Sequence, residues 1–89
     1  MTEPYLEVTF RRGRAIAAYL YLPRQPEDKS VRTRRIEPGL IVDFGPGERP
    51  IGIEITAPGR VSLADINRVL GDLGLSPISK ADLAPLLAA

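Results

Sequence analysis

The sequence predicts an α+β domain: five short antiparallel strands in a meander, one face covered by an amphipathic helix, and a short helix closing the chain. Three observations carry that expectation. First, Leu40–Phe44 and Ile51–Ile55 are apolar runs joined by Gly45, Pro46 and Gly47. Ile51, Ile53 and Ile55 alternate with Gly52, Glu54 and Thr56, the period of a half-buried strand. Second, nothing between the first three strands is long enough to hold a crossover helix, so neighbouring strands run antiparallel. Third, after Pro58-Gly59 the apolar period changes from two to between three and four.

Taken in order, Tyr5–Phe10 alternates Leu6, Val8 and Phe10 with Tyr5, Glu7 and Thr9 and forms strand one. Arg11-Arg12-Gly13-Arg14 is a tight turn in which Gly13 holds a positive φ. Strand two is Ala15–Leu22, with Ile16, Ala18, Leu20 and Leu22 on the core side and Ala15, Ala17, Tyr19 and Tyr21 on the other. Pro23–Lys29 is a polar loop. Strand three, Val31–Glu37, is interrupted by Arg32, Arg34 and Arg35, which suits an edge where charge discourages pairing with other chains. Pro38-Gly39 fits the centre of a type II turn.

The helix begins after Ser62-Leu63-Ala64-Asp65, a capping box in outline, and presents Leu63, Ile66, Val69, Leu70 and Leu73 on one face. Gly74 stands where a C-terminal cap belongs, and Gly71 inside the helix suggests close packing on that side. Ser79-Lys80-Ala81-Asp82 repeats the capping outline, but Pro85 keeps the last helix short or bent. The chain is read as a single domain, 1–89, with a sheet over 1–57 and a helical segment over 60–89. Its core face comprises Leu6, Val8, Phe10, Ile16, Leu20, Val42, Ile53 and Ile55.

Composition narrows the function classes. Eighty-nine residues make one small domain. The chain has no cysteine and no histidine, which removes the commonest general base and the usual zinc ligands. Without cysteine there is no disulfide framework, which fits a cytoplasmic setting. The start, MTEPYLEV, lacks the basic and apolar regions of a signal peptide, and no membrane span is expected. The net charge of +1 is uneven. Residues 1–36 hold eight basic side chains against four acidic ones, and residues 37–89 hold four against seven. Ten of the twelve basic residues are arginine.

The blocks Ala18-Tyr19-Leu20-Tyr21-Leu22, Gly39-Leu40-Ile41-Val42-Asp43 and Gly52-Ile53-Glu54-Ile55 resemble the small bacterial family catalogued as domain of unknown function 2283. That pattern is a hairpin ending in an LYI-type strand, then glycine with three hydrophobic residues and an aspartate, then GIEI. The resemblance spans roughly residues 5–57. It implies a small sheet-plus-helix domain in the bacterial cytoplasm, and a partner class for relatives that act as antitoxin-like neighbours of small toxins. It carries no catalytic residues. Relatives have acids in strand one and before the LYI block, where this chain has Leu6 and Ala17.

Three functional readings follow. A non-catalytic interaction module, a homo-oligomer or a domain docking on a small protein partner, would use Ala15, Ala17, Tyr19, Tyr21 and Ile41 on the face the helix leaves open. The contact is expected on that face or on an edge formed by strand one or strand five. A nucleic-acid binder would use Arg11, Arg12, Arg14, Arg32, Arg34 and Arg35 on phosphate, although the domain is far less basic than such binders usually are. A ligand or cation site would use Tyr19, Tyr21, Asp43 and Glu54 beside the bare backbone of Gly52. The competing structural explanation pairs Asp43 and Glu54 with the strand-three arginines and lays the tyrosines across Gly52 as packing. Gly45-Pro46-Gly47-Glu48-Arg49 is no phosphate loop, the serines lack a histidine to activate them, and no enzyme or cofactor is expected.

Overall fold

The computed structural model describes residues 3–87, so the two residues at each end of the 1–89 domain lie outside the described residues. Five strands form one antiparallel sheet: β1 (Tyr5–Arg11), β2 (Arg14–Tyr21), β3 (Arg32–Glu37), β4 (Leu40–Phe44) and β5 (Pro50–Ile55). Two helices follow, α1 (Leu63–Asp72) and the single turn α2 (Ala84–Leu87).

The strand order is β1-β2-β5-β4-β3, which corrects the meander. β5 inserts between β2 and β4, and β3 moves to the far edge. Burial explains the choice. A central strand is flanked on both sides, and Ile51, Ile53 and Ile55 are all within 1% of full burial. β3, with Arg32, Arg34 and Arg35 exposed, could not occupy that place without stranding charge. The polar loop after β2 is long enough to carry the chain across. Asp28, 6% exposed, fixes it: the carboxylate accepts from the Gln25 amide at 3.0 Å and from Arg49 of the β4–β5 turn at 2.5 Å. Strand five is thus central, and the edges are strands one and three.

Turn chemistry follows the sequence. Arg12 and Gly13 both have positive φ, 53° and 78°, the two left-handed positions of a type I′ hairpin turn. Just before that turn β1 and β2 lose register, with Thr9 opposite Ala17 but Phe10 opposite Ala15. The extra residue is Ile16, and this bulge overturns three side-chain assignments. Ala15 swings to the helix side and packs on the core, while Ile16 and Phe10 are 46% and 50% exposed. The hairpin tip extends past the four-residue β2–β5 ladder.

The core lies between the sheet and α1. Leu20, Leu22, Leu40, Val42, Phe44, Ile53 and Ile55 meet Ile66, Val69 and Leu70. Ser62 caps α1 reciprocally: its hydroxyl accepts from the Asp65 amide, and the Asp65 carboxylate accepts from its own. At the other end Gly74 has φ 75°, Leu75 donates to Leu70 at 2.8 Å and Gly74 to Gly71 at 3.0 Å, a Schellman motif. Gly71 does not mark close packing, because a methyl there would meet nothing within 4 Å. The last segment is stitched back by Asn67, whose amide donates to the Ile78 carbonyl at 3.1 Å and accepts from its N–H at 2.9 Å. Ser79 and Asp82 form the second reciprocal cap, and Leu83 and Leu86 are buried. No helix among the described residues is long and apolar enough to cross a membrane.

Candidate functional site

The helices cover one face of the sheet and leave the other open. Register places two rows of side chains across that open face. One reads Glu7, Tyr19, Glu54, Ile41 and Arg35 across β1, β2, β5, β4 and β3. The other reads Tyr5, Tyr21, Gly52, Asp43 and Thr33. Of the residues expected on this face, Ala17, Tyr19, Tyr21 and Ile41 are on it and Ala15 is not, for the reason the bulge supplies.

Tyr19 lies across its neighbour strand. A Cβ built on Gly52 would stand 1.9 Å from the Tyr19 hydroxyl oxygen and 2.3 Å from Cζ, so the ring occupies the space that glycine vacates. The hydroxyl continues to β4 and donates to Asp43 Oδ2 at 2.6 Å. One side chain thereby ties β2 to β4 over the top of β5. Burial, and then the adjoining Asp43 carboxylate, push the Tyr19 phenol far above its ordinary value. It is a fixed neutral donor, not a proton carrier at neutral pH.

The other tyrosines extend this anchor. Tyr21 meets Tyr19 edge-on at 4.7 Å and stacks on Tyr5 at 4.5 Å. Arg24 sits over the Tyr21 ring at 5.1 Å, and the Tyr21 hydroxyl makes a long bond to Glu7 at 3.4 Å. Desolvation, followed by the Glu7 charge, raises the Tyr21 phenol as well. The result is a held aromatic patch rimmed by acids, with Ile41 half-buried beyond Glu54.

The two rival sites take a different shape in space. The six arginines divide between the tip of the β1–β2 hairpin and the β3 edge, three to four strand intervals or about 14–19 Å apart. Arg32 is further occupied, stacked on Phe44 at 4.4 Å and paired with Glu48. Arg11, Arg12 and Arg14 stay at the hairpin tip, and no ion pair among the described residues involves them. Asp43 and Glu54 do share a face, but Asp43 is engaged by Tyr19, not by a strand-three arginine. Among the described residues no cluster of three acidic side chains could hold a metal ion. Away from the sheet, a cleft of about 430 Å³ between Leu22, Pro23, Leu75 and Ile78 has Glu3 and Asp82 at its rim. Asp82 is committed to capping Ser79.

Residues 17–57 match the model of a family described as a protein of unknown function (DUF2283). Over that stretch the chain is similar to DUF2283. The match runs from Ala17 of β2 to Ala57 just after β5, so it contains every strand that Tyr19 spans and omits β1 and both helices. No curated protein and no solved structure matches the chain.

Sequence reasoning missed two contributors to this region. Arg24, in the loop after β2, carries no periodic signal and reaches Tyr21 only because Asp28 folds that loop back. Tyr5 was placed on the correct face, but its stacking on Tyr21 needs the β1–β2 register, which a sequence does not supply across a bulge.

Proposed function

We propose that this domain is a non-catalytic protein-interaction module whose open sheet face receives a small protein partner bearing basic side chains. The observation that carries the reading is the composition of that face. A stacked tyrosine cluster and Ile41 supply rigid apolar area, while Glu7 and Glu54 stand among them and take part in no ion pair among the described residues. Tyrosines offer a large contact area with a polar tip and lose little side-chain entropy, particularly when already held. Interface centres are usually depleted of charge, so a carboxylate on the central strand selects a partner that brings a cation to it. Arg24 over Tyr21 illustrates how a guanidinium sits on this surface. A second copy laid face to face about an axis along the strands would bring Glu54 against its own counterpart, which disfavours self-contact through this face.

The test is co-purification and calorimetry with the product of the adjacent gene. Ile41→Asp and Glu54→Arg should each abolish binding while leaving the circular dichroism spectrum unchanged, and affinity should fall as salt rises. Binding indifferent to both substitutions would overturn the reading. A nucleic-acid role fits the structure less well, because the arginines do not converge.

A further inference from the structure

The two edges of the sheet are not alike. β3 is guarded by three arginines, the usual protection of an edge strand. β1 is a seven-residue strand with no proline and no bulge of its own, the irregularity being the extra residue Ile16 on β2. Its outer side can be read residue by residue. Leu22 donates to the Ile51 carbonyl at 3.1 Å, so positions 18, 20 and 22 direct their backbone groups toward β5 and positions 17, 19 and 21 toward β1. Tyr5, Glu7 and Thr9 therefore bond to β2, while the N–H and C=O of Leu6 and Val8 point away from the sheet. Among the described residues no backbone hydrogen bond from another segment reaches them.

We infer that β1 is a dimerisation edge, pairing antiparallel with β1 of a second copy about a two-fold axis at Val8 to form a continuous ten-stranded sheet. This goes beyond the proposed partner face and centres on the outer edge of β1, sharing with that face Tyr5 and Glu7. The occupant follows from the strand's own sequence. Pairing about Val8, its midpoint, engages all seven residues and joins the outward-pointing groups of Val8 to those of Val8 in the second copy and those of Leu6 to Phe10 of the second copy. On the helix side it sets Leu6 against Phe10 of the second copy, covering the aromatic side chain that the bulge leaves half exposed. On the open face it sets Tyr5 against Arg11 of the second copy, a cation–π pair of the kind Arg24 makes with Tyr21, with Glu7 diagonal to that same arginine. Acid near one end of the strand and base at the other make it self-complementary only when antiparallel, as a two-fold interface requires.

Sedimentation of the full chain tests the inference. The wild-type chain should sediment as a dimer at tens of micromolar. Val8→Pro, which removes an N–H that the monomer does not use, should give a folded monomer. Because the chain has no cysteine, Val8→Cys should cross-link into a covalent dimer on oxidation, its Cα atoms falling about 5.5 Å apart. Thr9→Cys, offset by two residues from its own copy in this register, should not cross-link. A wild-type monomer at hundreds of micromolar, a dimer that survives Val8→Pro, or cross-linking at position 9 in place of position 8 would overturn it. Should Val8→Pro fail to fold, the cysteine pair decides. Ile41→Asp should leave the dimer intact while abolishing partner binding, so the two proposals fail separately.

Discussion

Substituting Gly52 by alanine tests whether the open face is built around Tyr19. The added methyl would stand 1.9 Å from the Tyr19 oxygen, 2.3 Å from Cζ and 2.5 Å from Cε2, so the ring must leave rather than adjust. Its departure gives up the 2.6 Å bond to the Asp43 carboxylate and the edge-on contact with Tyr21. A hydrogen bond to a charged group contributes about 1.5–3 kcal/mol, and the lower end applies at this half-exposed site. Lost packing and displacement of the ring add about 1–2 kcal/mol, and alanine's smaller unfolded-state entropy returns about 0.5–1 kcal/mol. The net destabilisation is about 1.5–3 kcal/mol, or roughly 6–24 °C in Tm for a domain of this size. Urea unfolding followed by circular dichroism measures it. In a Tyr19→Ala background the same glycine substitution should be neutral or stabilising, since the clash has gone. An equal cost in both backgrounds would refute the reasoning, and so would a cost below about 0.5 kcal/mol in the wild type.

Gly71→Ala should stabilise the chain by about 0.5–1 kcal/mol, because the position is helical and its methyl meets open space; chemical denaturation would show the gain. Ser62→Ala should cost about 1 kcal/mol by the same measurement. Its partner Asp65, held below its ordinary value by the Ser62 amide and then by Arg68, contributes stability that is complete above about pH 4 and lost as pH falls through the depressed value. Asp65→Asn should therefore flatten the acid limb of a stability–pH profile, whereas Ser62→Ala, which keeps the backbone amide and Arg68, should leave most of it. Tyr19 has the opposite sense: its raised phenol favours folding fully below the unfolded value near 10, and that contribution declines as pH rises above it. Tyr19→Phe should lower stability at neutral pH and remove part of the alkaline slope above pH 10. Asn67→Ala, which deletes both bonds to Ile78, should cost about 1–2 kcal/mol and speed hydrogen exchange at the Ile78 amide.

Elements with a strong local signal were legible in the sequence. Ser62 and Asp65, Gly74, the Pro38-Gly39 turn and the Ile51–Ile55 alternation each reflect chemistry among neighbours in the chain, and each appears in the structure as expected. Strand order was not legible, because antiparallel pairing alone does not say which strand takes the centre. That is settled by competition for burial between the isoleucines of β5 and the arginines of β3. The bulge at Ile16 was equally hidden: Ala15, Ile16 and Ala17 read as smooth alternation, and only the tight Arg12-Gly13 turn forces the ladder to absorb an extra residue. One misplaced residue reverses the facing of those before it, so Ala15 left the candidate surface while Ala17, Tyr19 and Tyr21 kept their places.

The three sequence blocks behind the family resemblance take on a physical meaning once the strands are ordered. Tyr19 comes from the first block, Asp43 closes the second and Gly52 opens the third. They lie on three adjacent strands and meet in one arrangement, a phenol laid over a bare backbone and bonded to a carboxylate beyond it. A residue set spread over 34 positions of chain but joined in one contact holds sheet order directly, because the bond forms only if β5 lies between β2 and β4. The signature therefore specifies an architecture. The two surfaces proposed above lie around this anchor and not in it: the ring of Tyr21, the acids Glu7 and Glu54, and the outer edge of β1 are left unused by the contact of Tyr19 with Gly52 and Asp43.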